Sequence, residues 1–508
     1  MNLTDVKSTS TDPATSRQLG ALDLGSNSFH LLIAQESHGR LQILDKHKEM
    51  VRLAEGLKDN GELSGKVVTR ALECLQRLAQ RLRPLETDNV RIVGTNTLRR
   101  VRKSDFIAMA EDVLGHEIEV ISGREEARLI YLGVCHDLGI EDQRRLVVDI
   151  GGGSTELILG RKSTPEQLES LHMGCVSLSD RFFSDGKVTR QKLQAAIRTA
   201  RLELEPVANE FTSNGWETCI GASGTINAVH AVIQDLCGST HITAAHLRQI
   251  EEVLLRARHL NRLILPGLAD ERRSVFPGGF AILCAIFEAL KLQTMQISQS
   301  ALREGLILDL LGRQQEDDTR AHTVRQLIEH YRIDDRHARQ VRETALSLLS
   351  QVAVSWQLTK SWQRLCLGWS ANLHELGMDI SHAGYHKHGG YLLEYMDMPG
   401  FSKLEQQQVA TLVRTHRRRL SLALFPDSAT DLIRLAAILR LAVVLNRGRS
   451  HLAIPHIGMQ ARKHTLILSV PDAWLDEHPL THEDLRNEAD CLAQIGIKLK
   501  VESLGQLT

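Results

Sequence analysis

Residues 145–159, RLVVDIGGGSTELIL, decide the fold. Two apolar, largely β-branched runs flank a glycine-rich turn, so the pattern predicts a strand, a tight loop and a second strand. Three consecutive glycines leave backbone N–H groups uncovered by side chains, and such a loop can hold phosphate oxygens. Asp149 ends the first strand and Glu156 enters the second, which puts two carboxylates beside the loop. Carboxylates beside phosphate usually share a divalent cation with it. A glycine turn with solvated acids is the alternative.

A second copy of the pattern, LDLGSNSFHLL, occupies residues 22–32. Two related phosphate hairpins more than a hundred residues apart predict a duplicated α/β domain that holds its ligand between the two halves. The copies align at a constant offset of 126 positions, with Asp23 on Asp149, Gly25 on Gly151, Ser28 on Ser154 and His30 on Glu156.

Composition places the chain among ordinary globular proteins. It has 508 residues, of which 42% are hydrophobic and 24% charged, enough for three or four domains. A net charge of −1 predicts no overall attraction to polyanions, and we expect no nucleic-acid partner. The eight cysteines show no CxxC pair and no secretory signal precedes them, which predicts reduced thiols in the cytoplasm. Residues 1–16 are rich in Ser, Thr and Asp and predict a disordered tail.

The first half of the duplication contains a candidate general base. Ser122 is followed three residues later by Glu125, which is the pattern of a helix-capping box. That pattern gives Glu125 a structural duty and leaves Glu126 free in the first helical turn, where it can act on a proton. Acids are also common in first turns because they favour the helix dipole, so both interpretations stay open. Upstream, residues 90–99 predict a strand, a turn and the start of a helix. Arg99, at the end of this segment, is well placed to face an anion.

The second half continues the alternation of strands and helices, which indicates α/β architecture. We expect a helical stretch over residues 193–211 that is interrupted at Pro206. Residues 218–225, TCIGASGT, predict a strand and a helix N-terminus. This segment suits either an anion or close backbone packing.

Six motifs occur in order between residues 18 and 312: DLGSNSFH, TLR, SGREEARLI, DIGGGSTEL, GASGT and ALREG. Together they resemble the exopolyphosphatase/guanosine pentaphosphate phosphohydrolase (Ppx/GppA) family of the acetate kinase/actin/Hsp70 superfamily. The resemblance implies two actin-like domains, at residues 17–135 and 136–312. It also implies Mg²⁺ as cofactor and a homodimer. The location that it implies is the cytoplasm, with peripheral attachment of the protein to the inner membrane face as a further option.

The resemblance also implies roles for individual residues. Glu126 matches the catalytic carboxylate, and Asp149 and Glu156 match an acidic cluster that acts in catalysis and, with Asp23, binds the metal. The residues in the phosphate-holding motifs are Gly25, Ser26, Asn27, Ser28, Arg99, Gly151, Gly152, Gly153, Ser154 and Arg303.

Residues 313–424 have helical periods and many histidines, and they resemble the metal-binding HD phosphohydrolase fold. Glu375 and Asn446 stand where that fold usually keeps Asp, and residues 345–356 offer no earlier partner histidine, so we expect no complete di-metal site. Residues 425–508 predict a small α+β domain. A basic track for a long polyanion is one interpretation of the helical part, and solvated charges are the other. The track would consist of His386, Lys387, His388, Arg414, Arg417, Arg418 and Arg419.

The function expected from these features is removal of the terminal phosphate of inorganic polyphosphate, with release of orthophosphate. The guanosine branch of the family tends to carry Ala where Gly153 stands, and the basic cluster suits a long anion. Guanosine pentaphosphate 5′-phosphohydrolase is the alternative. Further alternatives are an ATP-dependent phosphotransferase of the same superfamily, for which no acceptor pattern is found, and a polyphosphate-binding protein without activity.

Overall fold

The computed structural model describes residues 17–37, 40–101, 105–139, 141–314, 318–426, 429–450 and 454–504. The predicted tail, residues 1–16, lies outside the described residues. The chain divides into two units, one within residues 1–316 and one within residues 317–508. Among the described helices, none has both the length and the apolar character needed to cross a membrane.

The N-terminal unit contains two mixed sheets. The first holds β1 (Arg17–Leu24), β2 (Phe29–Ser37), β3 (Arg40–Glu49), β4 (Val90–Gly94) and β5 (Glu119–Val120). The second holds β6 (Arg144–Ile150), β7 (Thr155–Arg161), β8 (Thr164–Leu171), β9 (Thr218–Ala222), β10 (Ile242–Thr243) and β11 (Thr294–Ile297).

The two sheets have the same topology. Their orders are β3-β2-β1-β4-β5 and β8-β7-β6-β9-β11, and β10 extends the second. In each sheet the first three strands along the chain form an antiparallel meander. Two later strands, β4 and β5 in the first sheet and β9 and β11 in the second, run parallel to the first strand of the meander. The duplication predicted from the two glycine hairpins is therefore confirmed.

In the described part of this unit, ten α-helices cover the sheets. They are α1 (Gly65–Leu82), α2 (Asn96–Arg100), α3 (Phe106–Leu114), α4 (Gly123–Leu138), α5 (Cys175–Phe183), α6 (Arg190–Asn214), α7 (Ser223–Cys237), α8 (Ala244–Ala257), α9 (Phe276–Ala289) and α10 (Leu302–Gln314).

The helix α6 corrects one expectation, because it continues through Pro206 without a break. Pro206 is exposed, so water can bond the carbonyl group that loses its helical partner there. The helices α4 and α10 span the predicted domain boundaries at residues 135/136 and 312/313, and the domain division itself stays a prediction.

The C-terminal unit is mainly helical, and one continuous apolar core extends through it. Its small sheet has the order β12-β13-β14, with β12 (Gly458–Arg462), β13 (Thr465–Pro471) and β14 (Lys498–Leu504). Its helices are α11 (Thr319–His330), α12 (Asp335–Val352), α13 (Ser361–Leu373), α14 (Tyr385–Tyr395), α15 (Lys403–Thr415), α16 (Thr430–Leu445), α17 (Asp472–Glu477) and α18 (Pro479–Ala493).

A buried ion-pair network ties α10 into the N-terminal unit. Asp309 on α10 accepts a hydrogen bond from Arg91 Nη1 on β4 at 2.6 Å and another from Arg128 on α4. Burial raises the pKa of Asp309, but the guanidinium groups of Arg128, Arg91 and Arg313 outweigh it and hold that pKa well below its usual range. Asp309 is therefore an ionised carboxylate whose charge three arginines compensate.

Replacing Asp309 with Asn should destabilise the N-terminal unit, because the shape is kept but buried Arg91 and Arg128 lose their counter-charge. Breaking a buried pair typically costs about 3 kcal/mol or more. Urea denaturation monitored by circular dichroism measures the loss. The control is Glu252→Gln, which breaks a solvent-exposed pair with Arg256 and should leave the midpoint almost unchanged. Equal midpoints for the two variants would contradict the structural role of the network.

Candidate active site

The two glycine-rich turns face each other at corresponding ends of the two sheets. Asp23 pairs across strands with His30 in the first hairpin, and Asp149 pairs with Glu156 in the second. A Cβ atom built on Gly152 would stand 3.1 Å from the Cβ atom of Ser26 in the opposite loop. The close approach of the loops therefore requires a bare backbone at this position.

Backbone hydrogen bonds fix both loops. The carbonyl oxygens of Ser26 and Asn27 accept hydrogen bonds from the N–H groups of residues 54 and 52, at 3.0 and 2.7 Å. Those of Gly151 and Gly152 accept from the first two residues of α5, each at 2.9 Å. Carbonyl oxygens would repel phosphate, so engaging them in these bonds favours the approach of an anion to the loops.

The loops border a cavity of about 450 Å³. Twelve of the predicted site residues line it: Asp23, Gly25, Ser26, Asn27, Ser28, Glu126, Asp149, Gly151, Gly152, Gly153, Ser154 and Arg303. Arg99 and Glu156 lie outside the lining. Glu156 is buried, and its Oε1 accepts a hydrogen bond from Ser170 at 2.9 Å.

The acidic side chains of the site lie close together, and nearby cations do not fully offset their mutual repulsion. Burial, together with Glu126 and Asp149, raises the pKa of Asp23 to about 8, although Arg303 acts in the opposite direction. Burial and Glu126 raise the pKa of Asp149 to about 7. The pKa of Glu156 is also raised, by burial first and then by Glu126 and Asp149. Asp23 Oδ1 is buried and has no hydrogen-bond partner among the described residues.

Separate hydrogen bonds position the two adjacent acids, Glu125 and Glu126, at the start of α4. The hydroxyl oxygen of Ser122 accepts the N–H of Glu125 at 3.1 Å, so the predicted N-cap is present. The carboxylate of Glu125 forms two hydrogen bonds of 2.8 Å with Arg128, while that of Glu126 reaches the cavity. Arg99 Nη1 donates to Glu126 Oε2 at 2.8 Å and to the carbonyl oxygen of Ile121 at 3.1 Å. The two adjacent acids are therefore separated into a structural one and a cavity-facing one.

The motifs did not predict all of the lining. Lys48 comes from β3, Arg272 from the turn before α9, and Asn96 from the start of α2. Arg272 lies directly over Gly224, where a Cβ atom would collide with its Nη2. The glycine of the GASGT motif therefore makes room for an arginine of the cavity.

Two further side chains refine the first half of the site. Burial, followed by the charges of Arg303, Lys48 and Arg272, lowers the pKa of His30 to about 3, so this imidazole is neutral. Its Nε2 lies 2.7 Å from Ser28 Oγ. Gly153 faces the Asn96 side chain, because a Cβ atom there would stand 2.6 Å from Asn96 Oδ1.

The residues of the predicted polyanion track differ in exposure and in their partners. Lys387, Arg418 and Arg419 are exposed and His388 is half-buried, but His386 is buried. Arg414 is paired with Glu394, and Arg417 lies over the ring of Tyr385 at 4.5 Å from its centroid. The track stays a prediction.

Family models match nearly the whole chain. The Ppx/GppA phosphatase family model matches residues 32–314, and the Ppx/GppA phosphatase domain III model matches residues 319–489. The chain is 40% identical over 481 residues to the guanosine-5'-triphosphate,3'-diphosphate pyrophosphatase of Aeromonas salmonicida, covering 94% of this chain and 97% of that protein. A protein of the same name from Photobacterium profundum is 39% identical over 487 residues, covering 95% and 97%.

Solved structures give the same architecture. An exopolyphosphatase from Cytophaga hutchinsonii ATCC 33406 matches with a TM-score of 0.53 at 24% identity, covering 58% of this chain and 98% of that one. The Aquifex aeolicus Ppx/GppA enzyme matches with a TM-score of 0.50 at 24% identity, covering 58% and 99%. At this identity the likeness concerns the fold alone, and the predicted actin-like domains are confirmed by it. The chain therefore belongs to the Ppx/GppA phosphatase family, a family of phosphoric anhydride hydrolases.

Proposed function

We propose that the protein hydrolyses the terminal 5′-phosphate of guanosine-5'-triphosphate,3'-diphosphate and releases orthophosphate. Relatives that are about 40% identical across almost their entire length bear the name of that activity. Inorganic polyphosphate, which the sequence motifs favoured, becomes the second candidate substrate. Both substrates end in a phosphoric anhydride, so they share the phosphate loops and differ in what the rest of the cavity must recognise.

The observation that carries this choice is the side chain of Asn227 on α7. Asn227 lines the same cavity as the phosphate loops, and its Oδ1 is buried without a hydrogen-bond partner among the described residues. A buried acceptor without a donor is costly. Guanosine carries donors on its base and ribose that can satisfy this oxygen. Polyphosphate offers only acceptor oxygens, so it cannot satisfy Asn227 Oδ1.

The two features that favoured polyphosphate carry less weight in the folded protein. Gly153 adjoins Asn96, so a methyl group there would first displace a neighbouring amide rather than a phosphate oxygen. In the basic track, His386 is buried and Arg414 already has a carboxylate partner. Neither feature distinguishes a long anion from a nucleotide.

The acidic side of the cavity suits Mg²⁺, a cation that prefers oxygen ligands. Asp23 and Asp149 lie there with Glu156 behind them, and the unpartnered Oδ1 of Asp23 is a ligand atom without another use. These carboxylates would hold the ion. When bound, Mg²⁺ supplies positive charge to the phosphate oxygens and to the leaving group.

The chain's own groups position the terminal phosphate. Backbone N–H groups of the two loops donate to its oxygens, and Arg303 and Arg272 add positive charge from the cavity wall. Phosphoryl transfer requires little beyond such positioning and charge compensation. The two facing loops therefore supply most of what the reaction needs.

Glu126 supplies the proton acceptor. A water oxygen attacks the terminal phosphorus in line with the bridging oxygen, the bond to the bridging oxygen breaks, and Glu126 takes the water's proton. The products are orthophosphate and the nucleotide shortened by one phosphate. Arg99 holds the Glu126 carboxylate through the 2.8 Å hydrogen bond, which orients it.

Replacing Glu126 with Gln should lower kcat by about 100-fold or more while substrate binding persists, because the amide keeps the shape but accepts no proton. The matched control is Glu125→Gln, which alters the adjacent residue and weakens its pairing with Arg128. That variant should lose stability and keep its turnover per folded molecule. Orthophosphate release, corrected for folded fraction, measures both. Equal losses of kcat in the two variants would contradict the assignment of Glu126.

The Asn227→Ala variant tests the choice of substrate. It should lower kcat/KM for guanosine-5'-triphosphate,3'-diphosphate by about tenfold or more, since one buried hydrogen bond to the nucleotide is lost. Activity on long-chain polyphosphate should change little. Gln234→Ala, at an exposed position of the same helix, serves as the control.

Competition between the two substrates on the unaltered protein completes the test at one Mg²⁺ concentration. We expect the nucleotide to have the higher kcat/KM. Better use of polyphosphate, together with equal effects of Asn227→Ala on both substrates, would contradict the proposed nucleotide preference. It would leave the phosphatase activity itself standing.

A further inference from the structure

Four buried histidines of the C-terminal unit lie in contact with one another. His337 from α12 packs against His374, with ring centroids 5.5 Å apart. His374 packs against His416 at 5.3 Å, and His416 against His386 at 6.2 Å. Each of the four rings has one buried nitrogen without a hydrogen-bond partner among the described residues. A satisfied interior rarely leaves so many polar atoms unpaired in one place.

Backbone contacts determine which nitrogens carry hydrogen. His374 Nδ1 lies 2.7 Å from the carbonyl oxygen of Ala371, and His416 Nδ1 lies 2.6 Å from that of Val413. A carbonyl oxygen can only accept, so Nδ1 is the protonated nitrogen in both rings. In the neutral imidazole, Nε2 then keeps a bare lone pair. This arrangement, with Nδ1–H on a backbone carbonyl, is the one that orients metal-binding histidines.

A carboxylate completes the group. Glu375 Oε1 lies 3.9 Å from His337 Nε2 and 3.9 Å from His374 Nε2. One ligand atom from each of the three residues falls within 4.8 Å of the others. Two ligand atoms on one tetrahedral zinc ion stand about 3.4 Å apart. The two carboxylate–imidazole distances would therefore shorten by about half an ångström on metal binding, and the distance between the two imidazole nitrogens by up to about 1.4 Å.

We propose that His337, His374 and Glu375 bind one first-row transition-metal ion of the Zn²⁺ class. Imidazole nitrogens with a carboxylate favour such ions, whereas Mg²⁺ prefers oxygen ligands throughout. This site does not depend on the proposed function and lies in the other unit of the chain.

The surrounding cavity indicates what else the ion would meet. All three ligands line a cavity of about 350 Å³, together with His416 and five arginines. One of these arginines, Arg449, is half-exposed and forms an ion pair with Glu375, so a bound ion would replace its charge at that carboxylate. Arg440 and Arg447 have their own partners in Glu488 and Asp484. The remaining positive charge favours an oxyanion at the metal's open coordination positions.

Cobalt substitution of the full-length protein tests the proposal without relying on activity. After removal of metals, Co²⁺ is added in the presence of excess Mg²⁺, which occupies oxygen-ligand sites. We expect one equivalent of Co²⁺ to bind, with visible absorption bands of low-symmetry coordination by nitrogen and oxygen, and Zn²⁺ to displace it. X-ray absorption at the cobalt edge should report imidazole ligands.

Variants locate the site. His337→Gln, His374→Gln and Glu375→Gln should each weaken Co²⁺ binding by more than about 100-fold, since even outer partners of metal ligands cost 10- to 100-fold. His464→Gln, at an exposed hairpin position of the same unit, is the matched control and should bind as the unaltered protein does. Circular dichroism confirms folding. Because the cobalt signals of the unaltered protein need no variant, failure of one variant to fold leaves the test intact.

The absence of imidazole-ligated cobalt in the unaltered protein would overturn the proposal. So would equal binding by His464→Gln and by the folded ligand variants. Titration of the unaltered protein with inorganic phosphate alone distinguishes an anion site from a metal site. Phosphate binding in this cavity, without any cobalt signal, would make it an anion site and not a metal site.

Discussion

The mutual repulsion of buried carboxylates at the meeting point of two glycine loops is the constraint around which the N-terminal unit is built. Asp23 and Asp149 end the first strands of the two sheets, and Glu126 approaches them from the start of α4. Burial and proximity raise the pKa values of both aspartates. Such a cluster is unfavourable by itself, so it is stable only in a framework that positions it rigidly and in the company of cations.

Another buried acid of the same unit, Asp309, has its charge compensated. Asp309 meets three arginines, and its pKa falls well below the usual range. In the cavity, Arg303 opposes the raised pKa of Asp23 without reversing it. The same unit therefore contains a compensated network that stabilises the fold and an uncompensated one, where we propose that a cation and a phosphate bind. That contrast separates structural from functional acids more clearly than burial does, because both sets are buried.

Local patterns made the fold and the two loops predictable. The glycine turn, the strand on each side and the N-cap of Ser122 are set by neighbours along the chain, so the sequence contains them directly. The cap even distinguished Glu125 from Glu126. Lys48, Arg272 and Asn227 reach the cavity from elements far apart in the sequence, and no local pattern marks them. The effect of Pro206 on α6 was predicted wrongly, because a helix tolerates a proline whose freed carbonyl group meets water. The exposure of Pro206 depends on tertiary structure and cannot be seen in the local sequence.

The contacts among the histidines of the C-terminal unit were not predicted, for a related reason. The partner of His374 was sought within residues 345–356, but His337 lies in the first turn of the same helix, α12. Asn446, which stands where an aspartate was expected, donates its amide to Thr344 and to the carbonyl oxygen of Ala442 and borders a different cavity. Sequence spacing identified the departures from the expected ligand set correctly. It did not reveal which histidines the helices bring together.

In the proposed reaction the two halves of the duplication both hold phosphate, but their side chains differ in chemistry. Position 30 and its counterpart 156 occupy the same place in their hairpins, opposite Asp23 and Asp149. His30 is neutral and adjoins Ser28, whereas Glu156 is an acid bonded to Ser170. A second acid at position 30 would add another negative charge beside Asp23 and oppose the bound phosphate. The neutral histidine removes that repulsion, so in the proposed complex both loops contact the substrate while the additional acids remain on one side of it.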